Sequence, residues 1–349
     1  MLAARWWGRR DVRVERVPDP RSPAPGWVLL RIEACGICGT DLEEYRDGPN
    51  VIPTEPHPLS GVCAPLILGH ESVGRVVLGG PGATLPPDTR VAVESTLYCG
   101  TCWWCVRGQH NLCVSMANLG LMADGGLAEY MLAPQSMCRP VAEHVTPEHA
   151  ALSEPLAVAV RAVRAAGVGQ GSNVAVVGAG TVGLLVTQVA RARGAGTVVV
   201  VDGIEQRRRL AQDLGADVAV APDEAMSATR DLMSGVGPDA TIEAAGNPAA
   251  AASAVTLTRK GGRAVLLGVF EGEVRMDMMD MLLGEKTVVA CLSHDFQDDF
   301  VPAVSLIEQG VVRVAPLVTD RVALSDVVDQ GFEALLNDPE GHLKIVVTP

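Results

Sequence analysis

The 349-residue chain has no basic excess: 28 Lys and Arg stand against 41 Asp and Glu, a formal net charge of −13. Phosphate backbones need basic patches, so no nucleic-acid partner is expected. No apolar run reaches the roughly 18 residues of a membrane helix, which excludes a membrane-spanning role for any single segment. The N-terminus, MLAARWWGRRDVRVERV, mixes Arg, Asp and Glu from its fifth residue and lacks the apolar core of a secretory signal. Low-complexity tracts and repeats of roughly 20–50 residues are missing as well, so neither a tail-like nor a solenoid architecture is expected. Cysteines number nine, an odd count that disfavours a pure disulfide framework. The expected setting is the reducing cytoplasm, where clustered cysteines mean metal or catalysis.

What is there is globular material: 48% of residues are hydrophobic and 20% charged. The length predicts two domains. Four of the nine cysteines fall in the run CGTCWWCVRGQHNLC, with the spacing C-x2-C-x2-C-x7-C over Cys99, Cys102, Cys105 and Cys113. Closely spaced thiolates on tight turns converge on one tetrahedral zinc. An iron–sulfur cluster is the rival, but the bacterial ferredoxin run ends C-x3-C-P, whereas here Val114 follows Cys113. Four protein thiolates would fill the coordination sphere, so this lobe (95–115) reads as a structural zinc site.

From Asn173 the chain reads NVAVVGAGTVGLLVTQVARARGAGTVVVVDG. A buried strand over 174–177 leads into Gly178-x-Gly180-x-x-Gly183, with Thr181 and Val182 inside the motif, and then into an apolar helix to about Arg193. A second strand over 197–201 ends at Asp202, nineteen residues beyond Gly183. Strand, glycine loop, helix and terminal acid form a dinucleotide-binding signature. The glycines let the backbone approach a pyrophosphate, and the helix N-terminus supplies N–H groups and positive dipole. Asp202 can accept from both ribose hydroxyls and would repel a 2′-phosphate, which selects NAD over NADP. Arg207, Arg208 and Arg209 could offset that acid, or form a solvated helix face.

The alternation continues with helices over 205–214, 225–233 and 248–257, and strands over 217–220, 239–245, 263–268 and 287–292. Six strands make a complete doubly wound parallel sheet. Upstream, Gly/Pro-rich sequence with short alternating segments such as VLLRIEA predicts a barrel-like β domain. The fold class is therefore α/β: a β domain over 1–155, a dinucleotide-binding domain over 156–294, and a return to the first domain over 295–349.

Metal-competent residues also lie outside the cysteine lobe: Cys38 in CGICGTD, His70 in LGHE and Glu154 in SEPL. In the order CGICGTD, GHE, four-cysteine lobe, EPL and GAGTVG, the chain resembles the zinc-containing medium-chain dehydrogenase/reductase family along essentially its whole length. The resemblance implies a GroES-like catalytic domain and a catalytic zinc on Cys38, His70 and Glu154 in the interdomain cleft. Two zinc ions per chain follow, with NAD as hydride acceptor. It further implies that Thr40 takes the alcohol proton, Asp41 orients His70 and Glu71 acts electrostatically behind the metal; Arg207, in the basic cluster after Asp202, is also placed at the cofactor. The family also suggests a homo-oligomer, a dimer or tetramer. The apolar strand TVVACL could pair across a sheet edge.

The insertion DGPNVIPTEPHPLSG between Cys38 and His70 resembles the 2,3-butanediol dehydrogenase branch, which implies a small vicinal diol or acyloin as the alcohol/ketone substrate. Sorbitol-, threonine- and cyclitol-type substrates remain open. Two other readings stand beside it: a zinc-ribbon nucleotide-sensing module, and a zinc-free reductase of activated double bonds. Where many zinc dehydrogenases carry a proton-relay His three residues past the Thr, this chain has Glu43, in a run (DLEEYRD) that reads as solvated surface. The proton is then expected to leave through ribose and water, aided by His57.

Overall fold

Two kinds of strand sequence build the chain. In the N-terminal third, Val28, Leu30, Ile32 and Ala34 alternate inward along Trp27–Gly36 while Arg31 faces solvent, the signature of a half-buried antiparallel strand. In the middle, Val174–Val177 and Val198–Val201 are buried on both faces, as strands covered by helices on each side must be. A computed structural model describes residues 1–270 and 272–349. It divides into one unit of Met1–Glu154, Asp295–Gln309 and Val314–Pro349, and another of Pro155–His294 and Gly310–Arg313.

The first unit is built on a seven-stranded sheet. Trp27–Gly36 pairs antiparallel with Glu71–Gly79, with Tyr130–Pro134 and with the C-terminal strand Lys344–Thr348. The last pairing threads the C-terminus into the heart of the unit, where Ile345 and Val347 pack with Trp6, Leu66 and Phe332. Phe332 is fully buried against Tyr45, with ring centroids 5.2 Å apart. Truncating such a side chain costs about 3–5 kcal/mol.

The second unit holds six parallel strands, in spatial order Val218–Val220, Val198–Val201, Val174–Val177, Ala240–Glu243, Arg263–Leu266 and Thr287–Ala290. This is the doubly wound order, and it reverses direction between Val174–Val177 and Ala240–Glu243. The expected strand over 239–245 stops at Glu243. Beyond it, the N–H groups of Ala245 and Gly246 turn to the Glu243 carboxylate, each at 2.7 Å. Thr287–Ala290 forms one edge of the sheet.

Candidate active site and metal centres

The register of one strand pair assembles the site. Gly36 faces Glu71 across the ladder, so the residues just past Gly36 and just before Glu71 leave the sheet at the same end. A Cβ on Gly36 would come within 1.9 Å of Glu71 Oε2, so glycine is what makes room for that carboxylate. Donor atoms of Cys38, His70 and Glu71 all lie within 4.8 Å of one another, the chemistry of a divalent-metal site.

Cys38 caps the helix Gly39–Asp47, and its N–H donates to Asp41 Oδ2 at 2.9 Å. The other Asp41 oxygen lies 3.4 Å from His70 Nδ1, with both groups buried. An acid facing Nδ1 leaves Nε2 as the donor atom for a metal. Burial works against a charged His70, but the charges of Asp41 and Cys38 outweigh it and raise the imidazole well above its ordinary value.

Glu71 is wholly buried and paired. Lys344, also buried, donates to Glu71 Oε1 at 2.7 Å, to Oε2 at 2.9 Å and to the Ile37 carbonyl at 2.7 Å. Desolvation disfavours the ammonium, yet Glu71, Cys38 and Glu154 together lift Lys344 above its usual value. The sequence reading missed Lys344; its one signal is a lone lysine opening the apolar closing strand.

Glu154 is buried in the first turn of Ser153–Ala166, but its carboxylate is not among the three donors that converge within 4.8 Å. Thr40 is half-buried in the first turn after Cys38. The run expected to be solvated is instead the helix Gly39–Asp47, with Asp41, Glu44 and Tyr45 buried on it. Glu44 turns inward because its carboxylate takes the N–H groups of Asn50 and Val51 (2.6 Å to Val51), and Tyr45 donates to Glu333 at 2.6 Å. Glu43 is half-buried.

His57 Nδ1 accepts from the N–H of Leu59 at 3.2 Å and of Ser60 at 3.5 Å. A separate cavity of about 840 Å³, lined by Trp27, Leu59, Tyr98, Met131 and others, includes none of Cys38, His70, Glu71 or Glu154.

In the cysteine lobe, the sulfurs of Cys99 and Cys105 lie 3.9 Å apart and those of Cys102 and Cys105 3.4 Å apart. Zinc–sulfur bonds of about 2.3 Å in a tetrahedron require about 3.8 Å between sulfurs. The donor set fits that ion. Backbone N–H groups support the sulfurs, with Cys102 donating to Cys99 at 3.4 Å and Cys99 to Cys113 at 3.3 Å. Hydrogen bonds from Thr101 and Cys102 hold the Cys99 thiol down at about 6, while burial pushes Cys105 up to about 12.

In the second unit, Gly178 has φ +104°, and a Cβ there would meet Ala245 N at 2.8 Å. A Cβ on Gly183 would come within 1.8 Å of the Gly178 carbonyl, so this glycine seats the helix Thr181–Ala192 on the loop. Gly180 has nothing near its Cβ position, and no side chain caps the helix that Thr181 and Val182 open. This open helix start fits a pyrophosphate. The Asp202 carboxylate takes the N–H groups of Ala179 at 2.6 Å and Ile204 at 2.8 Å, which aims it beside the loop. Arg208 is pinned there, donating to the carbonyls of Asp202 and Gly203 at 2.8 Å. Arg207 is half-buried on the same helix.

A doubly wound nucleotide unit, a β unit carrying a Cys/His/Glu donor cluster and a four-thiolate lobe define a zinc-binding, dinucleotide-dependent oxidoreductase. The family profile for the alcohol dehydrogenase GroES-like domain matches residues 24–143, and that for the zinc-binding dehydrogenase matches residues 181–309. The chain is 33% identical to the (R,R)-butanediol dehydrogenase of Bacillus subtilis, covering all of both chains. A crystal structure of 2R,3R-butanediol dehydrogenase from the same organism superposes with a TM-score of 0.92 over 100% of this chain and 99% of that one. Identity is also 33% to the L-threonine 3-dehydrogenase of Pyrococcus furiosus, over 91% of this chain and 90% of the relative. A putative zinc-binding dehydrogenase from Sinorhizobium meliloti, solved bound to NADP, is 30% identical with a TM-score of 0.88, covering 100% and 99% of the two chains. The chain belongs to the zinc-containing medium-chain dehydrogenase/reductase family, whose members act on CH–OH groups.

Proposed function

We propose that this protein oxidises a small vicinal diol to the corresponding acyloin with NAD, or runs the reverse reduction. The observation that carries the reading is the convergence of Cys38 and His70 with Asp41 behind the imidazole, in a chain similar along its full length to butanediol dehydrogenases. Cys38, His70 and Glu154 would hold the catalytic zinc, and Cys99, Cys102, Cys105 and Cys113 the structural one. When bound, zinc would supply Lewis acidity and the nicotinamide ring a hydride acceptor. Thr40 Oγ1 would accept the alcohol proton and release its own toward solvent. Asp41 keeps His70 in one tautomer, and Lys344 pairs with the Glu71 carboxylate beside Cys38 and His70. Asp202 carries a negative charge where a 2′-phosphate would sit, which favours NAD over NADP. Helix Thr181–Ala192, opened by Gly180, receives the pyrophosphate.

The assembly is a homo-oligomer through the open edge Thr287–Ala290, beside which Met278, Met279, Leu282 and Leu283 are exposed. Nine free cysteines suit a reducing compartment, the cytoplasm, and among the described residues no helix is long and apolar enough to cross a membrane. A panel of vicinal diols, polyols, cyclitols and L-threonine, followed by NADH absorbance, tests the reading. Preference for a four-carbon vicinal diol supports it; preference for threonine or a hexitol contradicts the substrate class while leaving the reaction type intact.

A further inference from the structure

Glu243 ends the strand Ala240–Glu243 and is fully buried. Its Oε1 takes the N–H groups of Ala245 and Gly246 at 2.7 Å, and its Oε2 takes that of Gly268 at 3.1 Å. Among the described residues it has no cationic partner. Unlike Glu71, it is satisfied by backbone alone.

Those three N–H groups belong to the loops that follow two neighbouring strands at their carboxyl ends, where Glu243 pairs with Val177 on one side and Leu266 on the other. The loops touch backbone to backbone. A Cβ on Gly268 would come within 2.4 Å of Gly246 Cα and 2.9 Å of Glu243 Oε2, and one on Gly178 within 2.8 Å of Ala245 N. Glu243 is thus the clasp that joins the loops after Ala240–Glu243 and Arg263–Leu266, the first of which lies against Gly178 of the glycine loop.

The strand order reverses at this point, and dinucleotides lie across the crevice outside the carboxyl ends of strands at such a reversal. Asp202, on the strand to one side of Val174–Val177, marks the adenosine half. A pyrophosphate held at the glycine loop would send the nicotinamide half over the loops that Glu243 clasps.

We propose that Glu243 is a positioning residue for the nicotinamide half of the cofactor, and that its buried negative charge favours the cationic ring of NAD⁺ over the neutral ring of NADH. The oxidised cofactor is then held more tightly relative to the reduced one than the loops alone would hold it. The proposal rests on reading this unit as an NAD site, and ADP-ribose, which lacks nicotinamide, separates the two claims.

The test measures dissociation constants of NAD⁺, NADH and ADP-ribose by titration calorimetry on the wild type, Glu243→Gln and Glu243→Asp. Gln removes the charge and turns an amide donor toward either Gly268 or the Ala245–Gly246 pair. Asp keeps the charge but withdraws it by one methylene. Glu243→Gln should weaken NAD⁺ at least about fivefold more than NADH and leave ADP-ribose within about twofold. Glu243→Asp should weaken both dinucleotides while keeping the wild-type ratio between them. Equal losses for all three ligands in Glu243→Gln, or a ratio shift as large in Asp as in Gln, would overturn the proposal. If Gln does not fold, an unchanged NAD⁺/NADH ratio in Asp with weakened affinities supports it, and a changed ratio overturns it. Failure of the wild type to bind ADP-ribose would instead refute the NAD site itself.

Discussion

Replacing Lys344 by Met isolates the ion pair beneath the donor cluster. Its ammonium makes two contacts to Glu71, at 2.7 and 2.9 Å, and one to the Ile37 carbonyl at 2.7 Å, all away from solvent. Methionine replaces most of the lysine stem, one atom shorter and without charge, so the Glu71 carboxylate is left buried without a cation. Breaking a buried pair from one side costs about 3–5 kcal/mol. For a unit of this size each kcal/mol moves the melting temperature by about 2–4 °C, so a fall on the order of 10 °C is expected. Removing both charges, in Glu71→Gln/Lys344→Met, should restore most of the loss, because the desolvation of both ions disappears with their attraction. Because Lys344 is raised in the fold, its contribution is complete below the ordinary lysine pKa and fades only as pH climbs through the higher folded value. The penalty of Lys344→Met should therefore be flat between about pH 6 and 9. Calorimetric melting at fixed zinc, for both single variants and the double, gives the coupling. If Lys344→Met melts within about 3 °C of wild type, or the double variant shows simple additivity, the ion pair does not carry the energy assigned to it.

Alanine at Cys38 or His70 should abolish turnover with the far-ultraviolet circular dichroism unchanged. Alanine at Cys102 or Cys105 should lower the melting temperature or disturb assembly, since a closed zinc site contributes folding energy. Full stability with intact zinc content in the Cys102 variant would refute that reading of the lobe. NAD should be preferred over NADP by at least about tenfold in kcat/KM, about 1.4 kcal/mol; Asp202→Gly should shrink the preference, and equal use of both cofactors by the unaltered protein would show that Arg207 and Arg208 outweigh the acid. Thr40→Val should lower kcat about a hundredfold or more, whereas Glu43→Gln should cost less than about tenfold near neutral pH. Equal damage from both, with one limb lost from the pH–rate profile of the glutamine variant, would make Glu43 the relay.

The nucleotide unit could be read from sequence because its signals are local. Glycine spacing, all-apolar strands such as Val198–Val201 and a strand-end acid sit within about thirty residues of one another. The same holds for the four thiols, which share one short loop. Lys344 could not be read this way: its partner Glu71 is 273 residues distant, and the two meet because Trp27–Gly36 pairs with both the closing strand and Glu71–Gly79. Glu44 and Glu243 were hidden for a different reason. Each is a carboxylate satisfied by backbone N–H groups, so no opposite charge in the sequence advertises its burial. The charged run containing Glu44 looked solvated because composition does not reveal which face of a helix is inward.

Whether the Cys38–His70 cluster is where a diol is oxidised is tested most directly by metal-resolved turnover of 2,3-butanediol with NAD. Purified protein should contain about two zinc ions per chain. Gentle chelation that removes one should abolish NADH formation without unfolding, and zinc alone should restore it. Retained turnover after that zinc is gone, or full activity with only the four-cysteine lobe loaded, would contradict a metal-dependent reaction at Cys38 and His70.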